Sequence, residues 1–113
     1  MRNLSAPMYR DFLLEIDNRI ASQFEYPIIH THSCSAHILP VLTEAPALRA
    51  IEVTVDPFPF GPPPLSLLAK FQQIQEAGKS LMIYGPMRSS ELATLLKALN
   101  PAGLAIRVGL LPE

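Results

Sequence analysis

Helical and extended hydrophobic patterns alternate along the whole of this 113-residue chain, and that alternation constrains the fold more than any other feature. Extended patterns predict strands at residues 28–32, 48–55, 80–84 and 104–108. Helical patterns predict helices at residues 6–24, at residues 64–77 and after Ser89 or Ser90, with a short helix near residues 36–43. Because neighbouring parallel strands need a crossover connection, usually a helix, this order predicts an α/β fold with about four parallel strands in chain order and covering helices.

The first helix is predicted from apolar residues spaced mostly four apart, which should form a single buried stripe. These residues are Met8, Phe12, Leu13, Ile16, Ile20 and Phe24. The charged residues between them fall off the stripe, so we expect them to form a solvated face.

Length and composition restrict the class of protein. The length fits a single domain, residues 1–113, or a piece of one, and the apolar fraction of 49% with 17% charged residues is typical of globular chains. The net charge of −1 lacks the basic excess of nucleic-acid binders, and no apolar run is long enough to cross a membrane, so we expect neither partner. The single cysteine excludes an internal disulfide, and Met1-Arg2-Asn3 opens no secretory signal, so we expect a cytoplasmic location.

The segment His30-Thr-His-Ser-Cys34 carries the most chemistry in the chain. In an extended backbone His30, His32 and Cys34 would share one face. Imidazole and thiolate are preferred zinc ligands, so this segment is a candidate metal site. Two alternatives remain open: hydrogen-bonded histidines at a strand end with Cys34 as a small core residue, or Cys34 as a nucleophile activated by His32.

Each predicted strand is apolar on one parity and polar or ionisable on the other. The polar parity carries His30 and His32 on the first strand, Glu52 and Asp56 on or after the second, Tyr84 on the third and Arg107 on the fourth. Helices should cover the apolar parity, so the polar one borders either a cavity or solvent. In a (β/α) barrel it would be the lumen, with sites at the carboxyl ends of the strands. In an open sheet with one wet face, Glu52 and Arg107 would form a structural ion pair.

Three stretches of the chain resemble the later part of the uroporphyrinogen decarboxylase superfamily. They are Leu4-Ser-Ala-Pro-Met-Tyr-Arg-Asp-Phe12, Ile29-His-Thr-His-Ser-Cys34 and Leu48-Arg-Ala-Ile-Glu-Val-Thr-Val-Asp56. That superfamily includes cobalamin- or corrinoid-dependent methyltransferases, and its members are complete eight-stranded (β/α) barrels longer than this chain. The resemblance implies a partial TIM-type barrel, equivalent to the C-terminal portion of such an enzyme.

The resemblance also implies roles for particular residues. In the methyltransferase branch a His-x-Cys pair and a later cysteine hold zinc, and the matching positions here are His32 and Cys34. With no second cysteine in the chain, His30 or Asp56 would have to replace the third ligand. In the decarboxylase branch, catalysis needs no metal. By their positions at strand ends, Asp56 and Tyr84 are candidate catalytic residues.

Two functions follow as expectations. The first is an enzyme acting on a porphyrinogen, a corrinoid-linked compound or a methylated small molecule, by decarboxylation or metal-assisted methyl transfer. The second is a truncated, non-catalytic relative that acts only in folding and association. Both predict association with a second copy or with a missing barrel half, since four parallel strands leave two open sheet edges.

Overall fold

A computed structural model of the chain describes residues 3–113. The four strands are β1 (Ile28–His32), β2 (Ala50–Thr54), β3 (Ser80–Arg88) and β4 (Leu104–Leu111). The five α-helices in residues 3–113 are α1 (Ala6–Phe12), α2 (Leu14–Ala21), α3 (Leu39–Leu42), α4 (Leu68–Glu76) and α5 (Ser89–Ala98). Two 3-10 helices, Ser33–Ile38 and Pro64–Leu67, precede α3 and α4.

The strands form one parallel sheet in the order β1-β2-β3-β4. Their registers place Ile29 level with Ile51, Leu81 and Leu104 across all four strands. The predicted α/β fold with four parallel strands in chain order is therefore confirmed.

Helices cover one face of this sheet and leave the other open. On the covered face, strand residues such as Ile51, Val53 and Ile83 are almost fully buried and share one core with the helices. Helix residues of that core include Leu39 and Leu42 of α3, Phe71 and Ile74 of α4, and Leu95 of α5. The alternation of buried and exposed positions follows the parity predicted from the sequence. None of the helices in residues 3–113 is long and apolar enough to cross a membrane.

The segment predicted as the first helix forms two helices, and the apolar stripe predicted to be buried is not the buried side. The helix breaks at Leu13, the C-cap of α1. Phe12 is 70% exposed and Phe24 64% exposed, whereas Tyr9, which lies off the stripe, is fully buried. The hydroxyl of Tyr9 donates a hydrogen bond to Asp17 of α2, so the polar end of the buried ring has a partner.

Strands β3 and β4 run further than predicted, to Arg88 and Leu111. A Gly-Pro pair at residues 85–86 usually ends a strand, but β2 has already ended at Thr54, so no strand on that side needs the N–H that Pro86 lacks. The cap of α5 also differs from the prediction. Arg88 occupies the N-cap position, and its backbone N–H donates to the Glu91 carboxylate at 2.8 Å, so neither Ser89 nor Ser90 caps this helix.

Candidate functional site

A histidine–carboxylate pair lies at the carboxyl ends of β1 and β2. His32 is the last residue of β1, and Asp56 follows β2 by two residues. Because adjacent parallel strands end at the same edge of the sheet, the two side chains meet, with His32 Nδ1 2.8 Å from Asp56 Oδ1. The prediction that strand-end polar residues gather at one edge holds for this pair.

Asp56 is held from three directions. Its Oδ2 accepts hydrogen bonds from the Ser33 hydroxyl and from the Cys34 backbone N–H, each at 3.1 Å. Its own backbone N–H donates to Ser33 Oγ at 2.8 Å. Burial would raise the pKa of Asp56, but the hydrogen bonds from His32, Cys34 and Ser33 outweigh that effect and hold the pKa below its ordinary value. Asp56 is therefore an ionised, fixed acceptor.

The ionised carboxylate determines which nitrogen of His32 carries the proton. Asp56 can only accept, so Nδ1 of His32 is the donor, and in the neutral ring Nε2 keeps its lone pair. The imidazole is about half exposed. His32 thus presents a basic, oriented nitrogen toward the outside of the strand end.

Cys34 does not continue the strand face. β1 ends at His32, and a 3-10 helix begins at Ser33, so the side-chain alternation that would place His32 and Cys34 together stops before Cys34. The backbone N–H of Cys34 faces Asp56, while its thiol lies 4.0 Å from Ser35 Oγ. The shared face expected of the three residues is confirmed only for His30 and His32, whose rings meet edge to face at 4.9 Å.

The donor set does not fit a zinc with three protein ligands. Within residues 3–113, no group of three or more His, Cys, Asp and Glu side chains is placed to hold a metal ion. Both oxygens of Asp56 already accept hydrogen bonds. Zinc at His32 and Cys34, with His30 or Asp56 as the third ligand, stays a prediction of the sequence resemblance.

The open sheet face carries the other predicted site residues, and Tyr84 lies within β3 and not at a strand end as predicted, because β3 continues to Arg88. His30 Nδ1 lies 3.5 Å from Glu52 Oε1, and the Arg107 guanidinium lies 5.6 Å from the centre of the Tyr84 ring. The wet-face alternative predicts an ion pair between Arg107 and Glu52. Arg107 instead stacks on an aromatic ring. A shallow cavity of about 330 Å³ runs across all four strands, lined by His30, Glu52, Thr54, Met82, Tyr84 and Arg107.

Three residues of this region were not predicted from the sequence. Ser33 bridges to Asp56, and Gly61 lies so close above it that an added Cβ would sit 2.5 Å from Ser33 Oγ. Thr54 Oγ1 is buried and, within residues 3–113, has no hydrogen-bond partner. The proline-rich segment around Gly61 was a possible signal, because a loop with little freedom can be held against a strand end.

Comparison of the chain with protein-family models, curated proteins and solved structures finds no match. Function is therefore inferred from the residues and geometry of this chain.

Proposed function

We propose that the chain forms part of a (β/α) barrel enzyme of the uroporphyrinogen decarboxylase type. Its open polar sheet face would line a cavity for a small molecule such as a porphyrinogen, a corrinoid-linked compound or a methylated compound. One observation carries the proposal: all four parallel strands contribute to one cavity on the sheet face that the helices leave open. In barrels of parallel strands that face is the lumen.

The reactive groups of the proposed enzyme lie at the carboxyl ends of the strands. Sites in such barrels lie at these ends, where His32 and Asp56 form their pair. Asp56 acts as a positioning residue that fixes the ring through its hydrogen bond to Nδ1, while His32 Nε2 exchanges a proton with the substrate. Tyr84 and Arg107 offer a stacked ring and guanidinium for an anionic or aromatic substrate.

In a decarboxylation the roles are as follows. The bond between the substrate carbon and its carboxylate breaks, CO2 leaves, and the electron pair stays on the carbon. Protonated His32 then gives its Nε2 proton to that carbon and becomes neutral. The pair of His32 and Asp56 is sufficient for this proton transfer, whereas the methyltransferase chemistry of the same superfamily also requires a complete zinc ligand set.

The test is a fluorescence titration of the purified chain with uroporphyrin, a stable aromatic tetrapyrrole carrying several carboxylates. We expect saturable binding, and we expect Arg107→Ala and Tyr84→Ala each to weaken it by about tenfold, the effect of losing roughly 1.4 kcal/mol of contact. The control is His37→Ala, because His37 is exposed on the 3-10 helix Ser33–Ile38, outside the cavity. Absence of saturable binding, or equal weakening by His37→Ala, would contradict the proposal.

A second function, that of a non-catalytic association module, has one observation in its favour. Large apolar side chains remain exposed along α1 and α2 and at the ends of the outer strands, including Phe12, Ile20, Phe24 and Leu110. An association module would bind another protein through this surface and would not bind uroporphyrin, so the same titration separates the two functions.

A further inference from the structure

The two edges of the sheet are apolar in complementary ways. Beside β1, Ile20 of α2 is about half exposed, and the groove between α2 and the β1 edge continues to Phe24 and Ile28. These apolar side chains are exposed like those on the inner side of a barrel helix that has no strand packed against it. At the opposite edge, β4 directs Ile106, Val108 and Leu110 to the helix-covered side of the sheet, and Leu110 is 62% exposed.

One edge of the sheet has an uncovered strand and the other an uncovered helix, so each could cover the other. β4 is a strand without a helix over its outer side, and α2 is a helix without a strand under its outer side. The chain cannot satisfy both by itself, because β1 and β4 are at opposite edges of the four-stranded sheet. A second copy can satisfy both at once, since a two-fold axis would place β4 of each copy beside β1 of the other.

The lengths of the strands fit such a closure. An eight-stranded parallel barrel has a shear of eight, so the register shifts by eight residues in a full circuit and by four in half a circuit. Ile29 is level with Leu104 across the sheet, and the right-handed tilt of the strands moves the partner toward the carboxyl end of β4. Val108 would then lie beside Ile29 of the second copy.

This shifted register uses all of β1 and the carboxyl-terminal part of β4. Residues 28–32 of β1 would lie beside residues 107–111 of β4, of which residues 108–111 continue beyond the end of β2. A shift of four also preserves parity, so His30 would lie beside Gly109 with both on the polar face. The residues by which β4 exceeds its predicted length would thus pair with β1 of the second copy.

We infer that two copies of this chain pair edge to edge and close an eight-stranded parallel barrel lined by the polar faces of both. The inference rests on the proposed function in one respect, since it takes the polar face to be the wall of a closed cavity. The cavity is incomplete without the second copy, which contributes the opposite wall.

Sedimentation velocity of the full chain is the first test. We expect a species of twice the 12.5 kDa formula mass at low micromolar concentration. Phe24→Asp should convert it to a monomer, because a charge would enter the contact between α2 and β4. The matched control is Phe58→Asp, which changes an 89% exposed phenylalanine in the proline-rich loop and should leave the dimer intact. A wild-type monomer, or an open polymer, would overturn the inference.

Disulfide trapping tests the register. In a Cys34→Ser background, His30→Cys with Gly109→Cys should give a covalent dimer on mild oxidation; a Cβ at Gly109 meets nothing within 4 Å. The control pair is His30→Cys with Ala105→Cys, which is level with residue 30 in a sheet without the shift and should stay unlinked. Within one chain β1 and β4 are three strand spacings apart, about 14 Å, too far for a disulfide.

Sedimentation and disulfide trapping test the closed barrel without any ligand. Trapping through residue 105, or through neither pair, would overturn the closed barrel. Because no ligand is used, failure to form the predicted dimer does not decide the proposed function, which the uroporphyrin titration tests separately. A wild-type dimer that binds no uroporphyrin would conversely support the assembly and reject the function.

Discussion

At the scale of single residues, the most informative group is Asp56. Its hydrogen bonds join the end of β1 and the start of the following 3-10 helix to the second residue after β2, so one carboxylate fixes the geometry of the strand ends. The sequence placed Asp56 and His32 at neighbouring strand ends correctly. Ser33 could not be assigned to the same cluster, because its role depends on a turn that begins one residue after the strand.

Replacing Asp56 by Asn should change how stability depends on pH. The folded-state pKa of Asp56 lies below its ordinary value of 3.8, so the ionised carboxylate stabilises the fold fully above that pH. This contribution disappears as the pH falls below 3.8 and through the lower folded-state value. In urea unfolding, the wild type should therefore lose more stability on acidification than Asp56→Asn. Parallel pH curves for the two proteins would show that Asp56 does not act in this way.

Tyr9→Phe should destabilise the protein although both side chains are aromatic rings of similar size. Tyr9 is fully buried and its hydroxyl donates to Asp17, so the change leaves the Asp17 carboxylate without that donor. We expect the free energy of unfolding to fall by about 1–2 kcal/mol. Tyr26→Phe is the control, since Tyr26 is 76% exposed and should change stability by less than about 0.5 kcal/mol. Equal effects in urea unfolding would contradict the role assigned to Tyr9.

At the scale of elements, the sequence predicted what depends on local pattern and missed what depends on neighbours. The order and type of the strands follow from apolar alternation, and the helices follow from three- and four-residue spacing. The start of β3 was predicted correctly, but its carboxyl end could not be, because Gly85 and Pro86 resemble a turn unless β2 is known to stop short. The stripe of the first helix was likewise misassigned, because which side of α1 is buried depends on the elements it packs against, which include α3 and the 3-10 helix Ser33–Ile38.

Gly85 allows β3 to continue past the end of β2. Its φ is +131°, and an added Cβ would lie 2.5 Å from the backbone oxygen of Val55. Since a backbone atom cannot move aside cheaply, Gly85→Ala should lower the free energy of unfolding by about 2 kcal/mol or more. Gly109→Ala on β4 is the control, because its Cβ would enter open space and φ is not positive there. Thermal unfolding of the two variants compares them directly, and equal midpoints would exclude strain at Gly85.

At the scale of the whole molecule, the position of the site follows from topology. Parallel order brings the carboxyl ends of all strands to one edge, and one-sided helix cover leaves the polar parity free, so the sequence indicated the face and most of its residues. The sequence did not indicate that Cys34 leaves the strand or that Arg107 stacks on Tyr84. Those arrangements depend on backbone turns and side-chain choices that no residue spacing specifies.

If the cavity is completed by two copies, ligand binding and dimerisation must be linked. A ligand that binds only the closed barrel increases the apparent dimerisation constant by the factor 1 + [L]/Kd, about 100-fold when uroporphyrin is present at 100 times its Kd. Sedimentation at increasing protein concentration should therefore show the dimer forming at much lower concentration with the ligand than without it. Tyr84→Ala, with its tenfold weaker binding, should reduce this shift to about tenfold at the same ligand concentration and leave the ligand-free dimer unchanged, because Tyr84 lines the cavity from the interior strand β3 and does not lie at either edge. Saturable binding of uroporphyrin with no effect on dimerisation would place the ligand outside the closed cavity.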